Sequence, residues 1–108
     1  MSQPPEILLV LSNCPDEASA NAIALKLVED RLAACVNILP RVQSIYRWQG
    51  AIESATETTL FIKSTVAAYP ALEKAIRELH SYDLPECIAL ALEDGSAEYL
   101  AWIGQNVG

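Results

Sequence analysis

The chain has 108 residues, of which 52% are hydrophobic, and its seven basic and fourteen acidic side chains give a formal charge of −7. This length and apolar content exclude a disordered chain and predict one domain over residues 1–108, able to build a core without disulfides or metal. The acidic balance argues against nucleic acid as a partner, because a nucleic-acid-binding surface needs a basic face.

The first third of the chain predicts a strand followed by a helix. Residues 6–11 predict a buried strand, because residues 7–11 form a short, continuous apolar run. Pro15 suits the first position of a helix, and the two acidic residues after it favour the positive end of the helix dipole. The helix is predicted to run to about Asp30, because one apolar face follows at helical spacing, formed by Ala20, Ile23, Ala24, Leu27 and Val28.

The middle of the chain predicts a long β-hairpin with strands at residues 34–48 and 51–64. Both arms are rich in β-branched and aromatic residues. Gly50 supplies the positive φ that a tight hairpin turn needs. Pro40 cannot donate to the strand ladder, so it predicts a bend or a bulge in the first arm.

The length of this hairpin predicts contact with another subunit. At roughly 3.3 Å per residue, the first arm extends about 50 Å. A compact body of this size has a diameter of about 35 Å. The aromatic residues near the tip, Tyr46 and Trp48, must therefore be exposed or buried in another subunit, and we predict the second.

The second half of the chain predicts a helix, a strand and a short C-terminal helix. Pro70 opens a helix that ends near His80, with an apolar face of Leu72, Ala75, Ile76 and Leu79. Residues 86–93 predict the last strand, and Ser96 can cap the final helix. The order of elements predicts an α+β, ferredoxin-like split βαβ fold, with both main helices on one face of an antiparallel sheet.

The last predicted strand has one bulky and one small face. The bulky residues are Ile88, Leu90 and Leu92, and they alternate with Cys87, Ala89 and Ala91. We expect the bulky face to meet the helices and the small face to permit close approach of another subunit's sheet.

The sequence lacks the usual signatures of catalysis. Its four glycines form no phosphate-binding loop, and its single histidine has no serine or cysteine motif beside it. The first strand-to-helix loop, residues 12–16, is acidic and has no anion-binding arginine of the acylphosphatase type. We predict that the protein is not an enzyme.

Soft side chains are the remaining candidates for metal chemistry. Cys14, Cys35, His80 and Cys87 suit Cu(I) or Zn(II), although none has the short spacing of a local metal site. The alternative is that the cysteines are small packing residues and that His80 interacts with the end of its helix.

The N-terminal stretch predicts neither export nor membrane insertion. It has no basic segment, and its apolar run at residues 7–11 is too short for a signal peptide or a membrane span. The three cysteines are odd in number and widely spaced, so they imply no disulfide framework. A cytoplasmic location without a membrane partner is the expectation.

Four blocks of sequence resemble one known family. They are RLAACVN at residues 31–37, SIYRWQG at 44–50, ELHSYDLPE at 78–86 and YLAWI at 99–103. In this order they closely resemble the CutA family of divalent-cation tolerance proteins, and the resemblance extends over residues 7–103. It implies a ferredoxin-like homotrimer with intersubunit sheet pairing, a role in copper or divalent-cation tolerance, and no settled enzyme activity.

The resemblance also implies a set of metal-binding residues. Two positions associated with copper in the family match Cys35 and His80. The third falls on Ser12, where a cysteine is usual, and Cys14 lies two residues later as a possible substitute. We expect weak or moderate Cu(I) binding by this set and no tight structural zinc. We expect that no cofactor is required, with copper or another divalent cation as the ligand that the resemblance implies.

The resemblance extends in structure to the nitrogen-regulatory PII proteins, which leaves an alternative function. The chain would then be a small-ligand or partner-binding module whose ligand lies in an intersubunit cleft. The cleft or interface residues would be Tyr46, Trp48 and Tyr82.

Overall fold

The structure, a computed structural model, describes residues 6–108. Residues 1–5 lie outside the described residues. The predicted domain and the prediction for the N-terminal stretch both include them. The elements are β1 Ile7–Cys14, α1 Glu17–Glu29, β2 Cys35–Trp48, β3 Ala51–Thr65, α2 Tyr69–Leu79, β4 Ile88–Ala91 and α3 Ala97–Asn106. Within the described residues no helix is long and apolar enough to cross a membrane.

Within residues 6–108, four strands form one sheet in the order β2-β3-β1-β4, and all neighbouring strands are antiparallel. This confirms the predicted α+β class and the split βαβ order. β4 is shorter than the predicted strand at residues 86–93. Ala91 already pairs with Leu8, which is one residue from the start of β1. The residues after Ala91 therefore have almost no β1 residues left to pair with.

The core lies between one face of the sheet and the helices α1 and α2. The residues that form it are Leu8, Val10, Cys14, Ala20, Ile23, Leu27, Ala33, Leu60, Ile62, Leu72 and Ile76. Asp16 caps α1, because its side chain accepts a hydrogen bond from the backbone N–H of Ser19 at 2.8 Å. The predicted start of this helix is therefore confirmed within two residues.

The hairpin of β2 and β3 gives the molecule its length. The principal extents are 53 × 26 × 22 Å. Gln49 and Gly50 both have positive φ, as a two-residue hairpin turn requires. The register shifts between Leu39 and Val42, where Arg41 has a φ of 60°, so the bulge predicted at Pro40 is confirmed.

The prediction for the two faces of β4 is wrong. Ala89 pairs with Val10 and therefore lies on the side of the core, whereas Ile88 pairs with Leu11 and lies on the opposite side. Ile88 is 53% exposed and Leu90 is 49% exposed. The alternation separated the two faces correctly, but the core face needs only small residues here because β4 is a short edge strand.

The side of the sheet opposite α1 and α2 is therefore open and apolar. We call it the open face, and it carries Leu9, Leu11, Phe61, Ile88 and Leu90. One part of it is covered by α3, since Lys63 on β3 donates a hydrogen bond to the Tyr99 hydroxyl at 3.1 Å. Arg31, with a φ of 58°, anchors the end of the chain by donating to the carbonyl of Gly108 at 2.7 Å.

Candidate functional site

A cleft of about 660 Å³ lies between the outer half of the hairpin and the loop that joins α2 to β4. Glu53 and Glu57 on β3 follow the same alternation as Phe61, so the cleft opens on the side of the open face. The lining residues are Asn13, Ser44, Ile45, Tyr46, Trp48, Glu53, Glu57, Tyr82, Asp83, Leu84 and Glu86. Tyr46, Trp48 and Tyr82, the three residues assigned to a ligand cleft or interface from the sequence, all line it.

A hydrogen bond between Tyr82 and Glu57 joins the two walls of the cleft. The Tyr82 hydroxyl donates to Oε2 of Glu57 at 2.9 Å. Burial, and then the hydrogen bond to Glu57 and its charge, raise the pKa of Tyr82 well above its ordinary value. The hydroxyl therefore stays protonated and serves as a fixed donor to this carboxylate.

His80 positions the loop through both of its ring nitrogens. Its Nδ1 accepts a hydrogen bond from the backbone N–H of Tyr82 at 3.1 Å, so its Nε2 carries the proton and donates to the carbonyl of Asn13 at 2.6 Å. The Asn13 side chain in turn donates to Oε1 of Glu86 at 3.3 Å. His80 is thus a structural link between the end of β1 and the loop, and a metal would have to displace one of these hydrogen bonds.

One chain does not bring together the three residues assigned to metal. Cys14 is at the end of β1 near His80, where it pairs with Thr58, whereas Cys35 pairs with Lys63. Thr58 and Lys63 are five residues apart on β3, which corresponds to about 17 Å. Within residues 6–108, no three His, Cys, Asp or Glu side chains are grouped as a metal site.

The cysteines also differ in their capacity to bind metal. Cys14 is fully buried in the core, and burial, followed by the charges of Asp16 and Glu57, raises its pKa to about 11. Its thiol is therefore protonated at neutral pH, whereas a metal ligand must be a thiolate. Cys35 is half-buried at the start of β2, with its Sγ 4.0 Å from Oδ1 of Asn37.

The cleft concentrates negative charge. As formed by residues 6–108, its lining includes four carboxylates, Glu53, Glu57, Asp83 and Glu86, and no lysine, arginine or histidine. Desolvation, followed by the charge of Glu57, raises the pKa of Glu86. The arrangement attracts cations, because like charges that share a partly desolvated site favour a positive partner.

Sequence reasoning missed these four carboxylates. One signal was available: Glu53 and Glu57 are four residues apart in a strand, and this spacing places both on one face. Asp83 and Glu86 gave no such signal, because only the folding of the loop brings them against the hairpin.

Topology and site together define a class: an α+β protein of ferredoxin-like topology with an extended hairpin and an acidic, aromatic cleft. The chain belongs to the CutA1 divalent ion tolerance family, whose profile matches residues 8–106. This confirms the resemblance seen in the four sequence blocks.

Individual relatives agree with this assignment. The divalent-cation tolerance protein CutA of Thermus thermophilus is 47% identical over 100 residues, which cover 93% of this chain and 97% of the relative. A solved structure of the divalent cation tolerance protein from the same organism superposes with a TM-score of 0.93 at 46% identity, covering 94% of this chain and 99% of that one. The mouse protein CutA is 42% identical over 102 residues, which cover 94% of this chain but only 58% of the mouse protein.

Proposed function

We propose that the chain acts in divalent-cation tolerance as a cation-binding protein, and that it is neither an enzyme nor dependent on a resident cofactor. The observation that carries this proposal is the cleft, where four carboxylates are distributed over the two walls and the lining formed by residues 6–108 includes no basic side chain. The formal charge of −7 adds a field that favours the approach of cations.

Calorimetric titration tests the role of the cleft. Magnesium, manganese and copper(II) chlorides are added to the wild type, to Glu57→Gln and to Glu98→Gln. Glu98 is an exposed acid in the first turn of α3, outside the cleft. Glu98→Gln is therefore a matched control that also removes one negative charge. We expect weaker binding in Glu57→Gln than in Glu98→Gln, and equal affinities in the two variants would contradict a cation site in the cleft.

We further propose that the functional unit is a homotrimer. The open face supports this, since Ile88 and Leu90 are about half exposed and large exposed apolar residues that cluster are typical of an interface. The hairpin also supports it, because Tyr46 and Trp48 near its tip each remain 40% exposed. Sedimentation equilibrium at micromolar concentration should give the mass of three chains, and a persistent monomer would contradict the proposal.

We propose that the thiolate of Cys35 binds copper as Cu(I). Its thiol is half-buried and free, and a soft thiolate favours Cu(I). Because His80 and Cys14 lie away from Cys35 in one chain, the second ligand would come from a neighbouring chain of the trimer. The free thiols also support a cytoplasmic location, since reducing compartments keep cysteines unpaired.

Competition with a Cu(I) chelator tests this assignment in the wild type and in Cys35→Ser, His80→Ala and Cys14→Ser. We expect the Cys35 variant to lose the most affinity. Unchanged affinity in both the Cys35 and His80 variants would remove them as ligands. If only Cys14→Ser lost affinity for Cu(I), the copper site would lie at the end of β1.

The second candidate is a PII-like module that binds a small molecule. The volume of the cleft favours it, because about 660 Å³ lies within the roughly 300–1,000 Å³ of typical ligand pockets. Retention of a metabolite through purification in metal-free buffer would favour this candidate over simple ion binding.

A further inference from the structure

We infer that the cleft recognises an organic polycation, namely a linear aliphatic polyamine. This inference rests on the proposed function in one respect, which is that both place a cation in the same cleft. It goes further by naming the chemical class of the cation. Three features support that class: the walls of the cleft, the spacing of its carboxylates and the unused hydrogen-bond acceptor of Glu57.

The walls of the cleft are largely aromatic and apolar. Tyr46, Trp48 and Tyr82 contribute rings, and Ile45 and Leu84 contribute aliphatic surface. Aromatic faces attract ammonium groups, and the methylene segments of an alkylamine pack against rings and aliphatic side chains. A hydrated magnesium or calcium ion gains nothing comparable from such walls, because these ions take oxygen ligands. The walls therefore favour a cation that carries hydrocarbon.

The negative charges are spread along the cleft. Glu53 and Glu57 are four residues apart on β3, so their Cα atoms are separated by about 13 Å. Asp83 and Glu86 add charges from the opposite wall. A linear polyamine presents several ammonium groups along one chain and is long enough to meet carboxylates at both ends of such a site. A single metal ion meets only those that converge on one point.

Glu57 has acceptor capacity that the described residues leave unused. It is only 8% exposed, and Tyr82 donates to its Oε2. Its Oε1 receives no side-chain or backbone hydrogen bond from residues 6–108. A largely buried carboxylate is stabilised when a charged donor completes its hydrogen bonding. An ammonium group supplies both the donor and the charge.

The test is calorimetric titration of the full chain with spermidine, at fixed ionic strength. Butane-1,4-diol serves as an uncharged control with a hydrocarbon segment, and magnesium chloride serves as a cation without hydrocarbon. The variants are Glu57→Gln and Trp48→Leu, with Glu98→Gln as the control outside the cleft. Sedimentation of each variant shows whether assembly is intact. If Trp48→Leu fails to assemble, Asp83→Asn in the exposed loop replaces it.

We expect saturable spermidine binding, no binding of the diol, and a loss of about tenfold or more in affinity in each cleft variant but not in Glu98→Gln. Absence of spermidine binding would overturn the inference. It would also fail if Glu57→Gln and Glu98→Gln lost the same affinity, since that result indicates general attraction of counterions.

The two proposals fail separately. If the metal chlorides bind in the cleft and spermidine does not, the proposed function stands and the polyamine inference is wrong. If spermidine binds with the expected variant pattern and no metal binds, the inference stands and metal binding by the cleft is wrong.

Discussion

The hydroxyl of Tyr82 donates to Oε2 of Glu57 across 2.9 Å and so ties the loop after α2 to the middle of β3. This contact joins the two walls of the cleft directly. It also fixes one oxygen of a carboxylate that is only 8% exposed. The cleft is therefore held in shape by a contact within the single chain.

Tyr82→Phe should lower the free energy of unfolding by about 1–3 kcal/mol, because it leaves a largely buried carboxylate without its donor. Urea unfolding followed by circular dichroism measures the loss. Tyr99→Phe is the matched control, since it removes a hydroxyl that accepts from Lys63 at 3.1 Å on an exposed surface. A loss in Tyr99→Phe as large as that in Tyr82→Phe would contradict a special role for the contact with Glu57.

The stability of the chain should depend on pH through Glu86. Desolvation and the charge of Glu57 raise the pKa of this carboxyl above its ordinary value of 4.5. The folded chain therefore binds the proton more tightly than the unfolded chain. The resulting stabilisation is fully present below pH 4.5 and is lost as the pH rises through the raised pKa.

Glu86→Gln removes this dependence, because the amide keeps an oxygen for Asn13 but cannot ionise. The variant should be more stable than the wild type at pH 7, and the difference should shrink toward zero as the pH falls below 4.5. Urea unfolding at several pH values measures it, with Glu93→Gln in the exposed segment after β4 as the control for one lost charge. A difference that stays constant with pH would show that ionisation of Glu86 is not its cause.

The ring of His80 should be present as one tautomer. Its Nδ1 accepts from the backbone of Tyr82 while its Nε2 faces the carbonyl of Asn13, so the proton belongs on Nε2. Long-range ¹H–¹⁵N correlation spectra at pH 8 should show an acceptor-type shift for Nδ1 and a donor-type shift for Nε2. The opposite pattern would mean that the ring is turned over and that Nε2 is free to bind metal.

Local signals in the sequence were sufficient for most of the fold. Gly50 predicted the hairpin turn because glycine tolerates positive φ, and Pro40 predicted the bulge because proline cannot donate to the strand ladder. Pro15 and the apolar spacing after it predicted the first helix. The faces of β4 were assigned wrongly, since alternation cannot say which side of an edge strand the helices cover. Ile88 shows this, because its pairing with Leu11 places it on the open face.

The candidate site was less predictable than the fold. The aromatic residues of the cleft were found because Tyr46 and Trp48 lie near the tip of an unusually long hairpin. Asp83 and Glu86 were missed because their place in the cleft depends on a loop that His80 holds against β1, and sequence spacing carries no trace of that contact. Similarly, nothing in the sequence showed that Cys35 and His80 lie at different ends of the sheet in one chain.

Trp48 and Trp102 offer a direct comparison for the proposed assembly. Each is 40% exposed in the single chain, so burial within the chain does not distinguish them. Trp102 stacks on Tyr99 with ring centroids 5.5 Å apart, whereas Trp48 is the last residue of β2, beside the hairpin turn. If the tip inserts into a neighbouring chain, only Trp48 gains a large burial on assembly.

Trp48→Ala should therefore destabilise the trimer by about 3–5 kcal/mol, the cost typical of truncating a buried aromatic residue. Trp102→Ala should have a clearly smaller effect on dissociation, although it removes the same side chain. Sedimentation equilibrium over a dilution series measures dissociation in both variants and in the wild type. Equal effects on dissociation would mean that the tip of the hairpin is not buried by a partner and that its length needs another explanation.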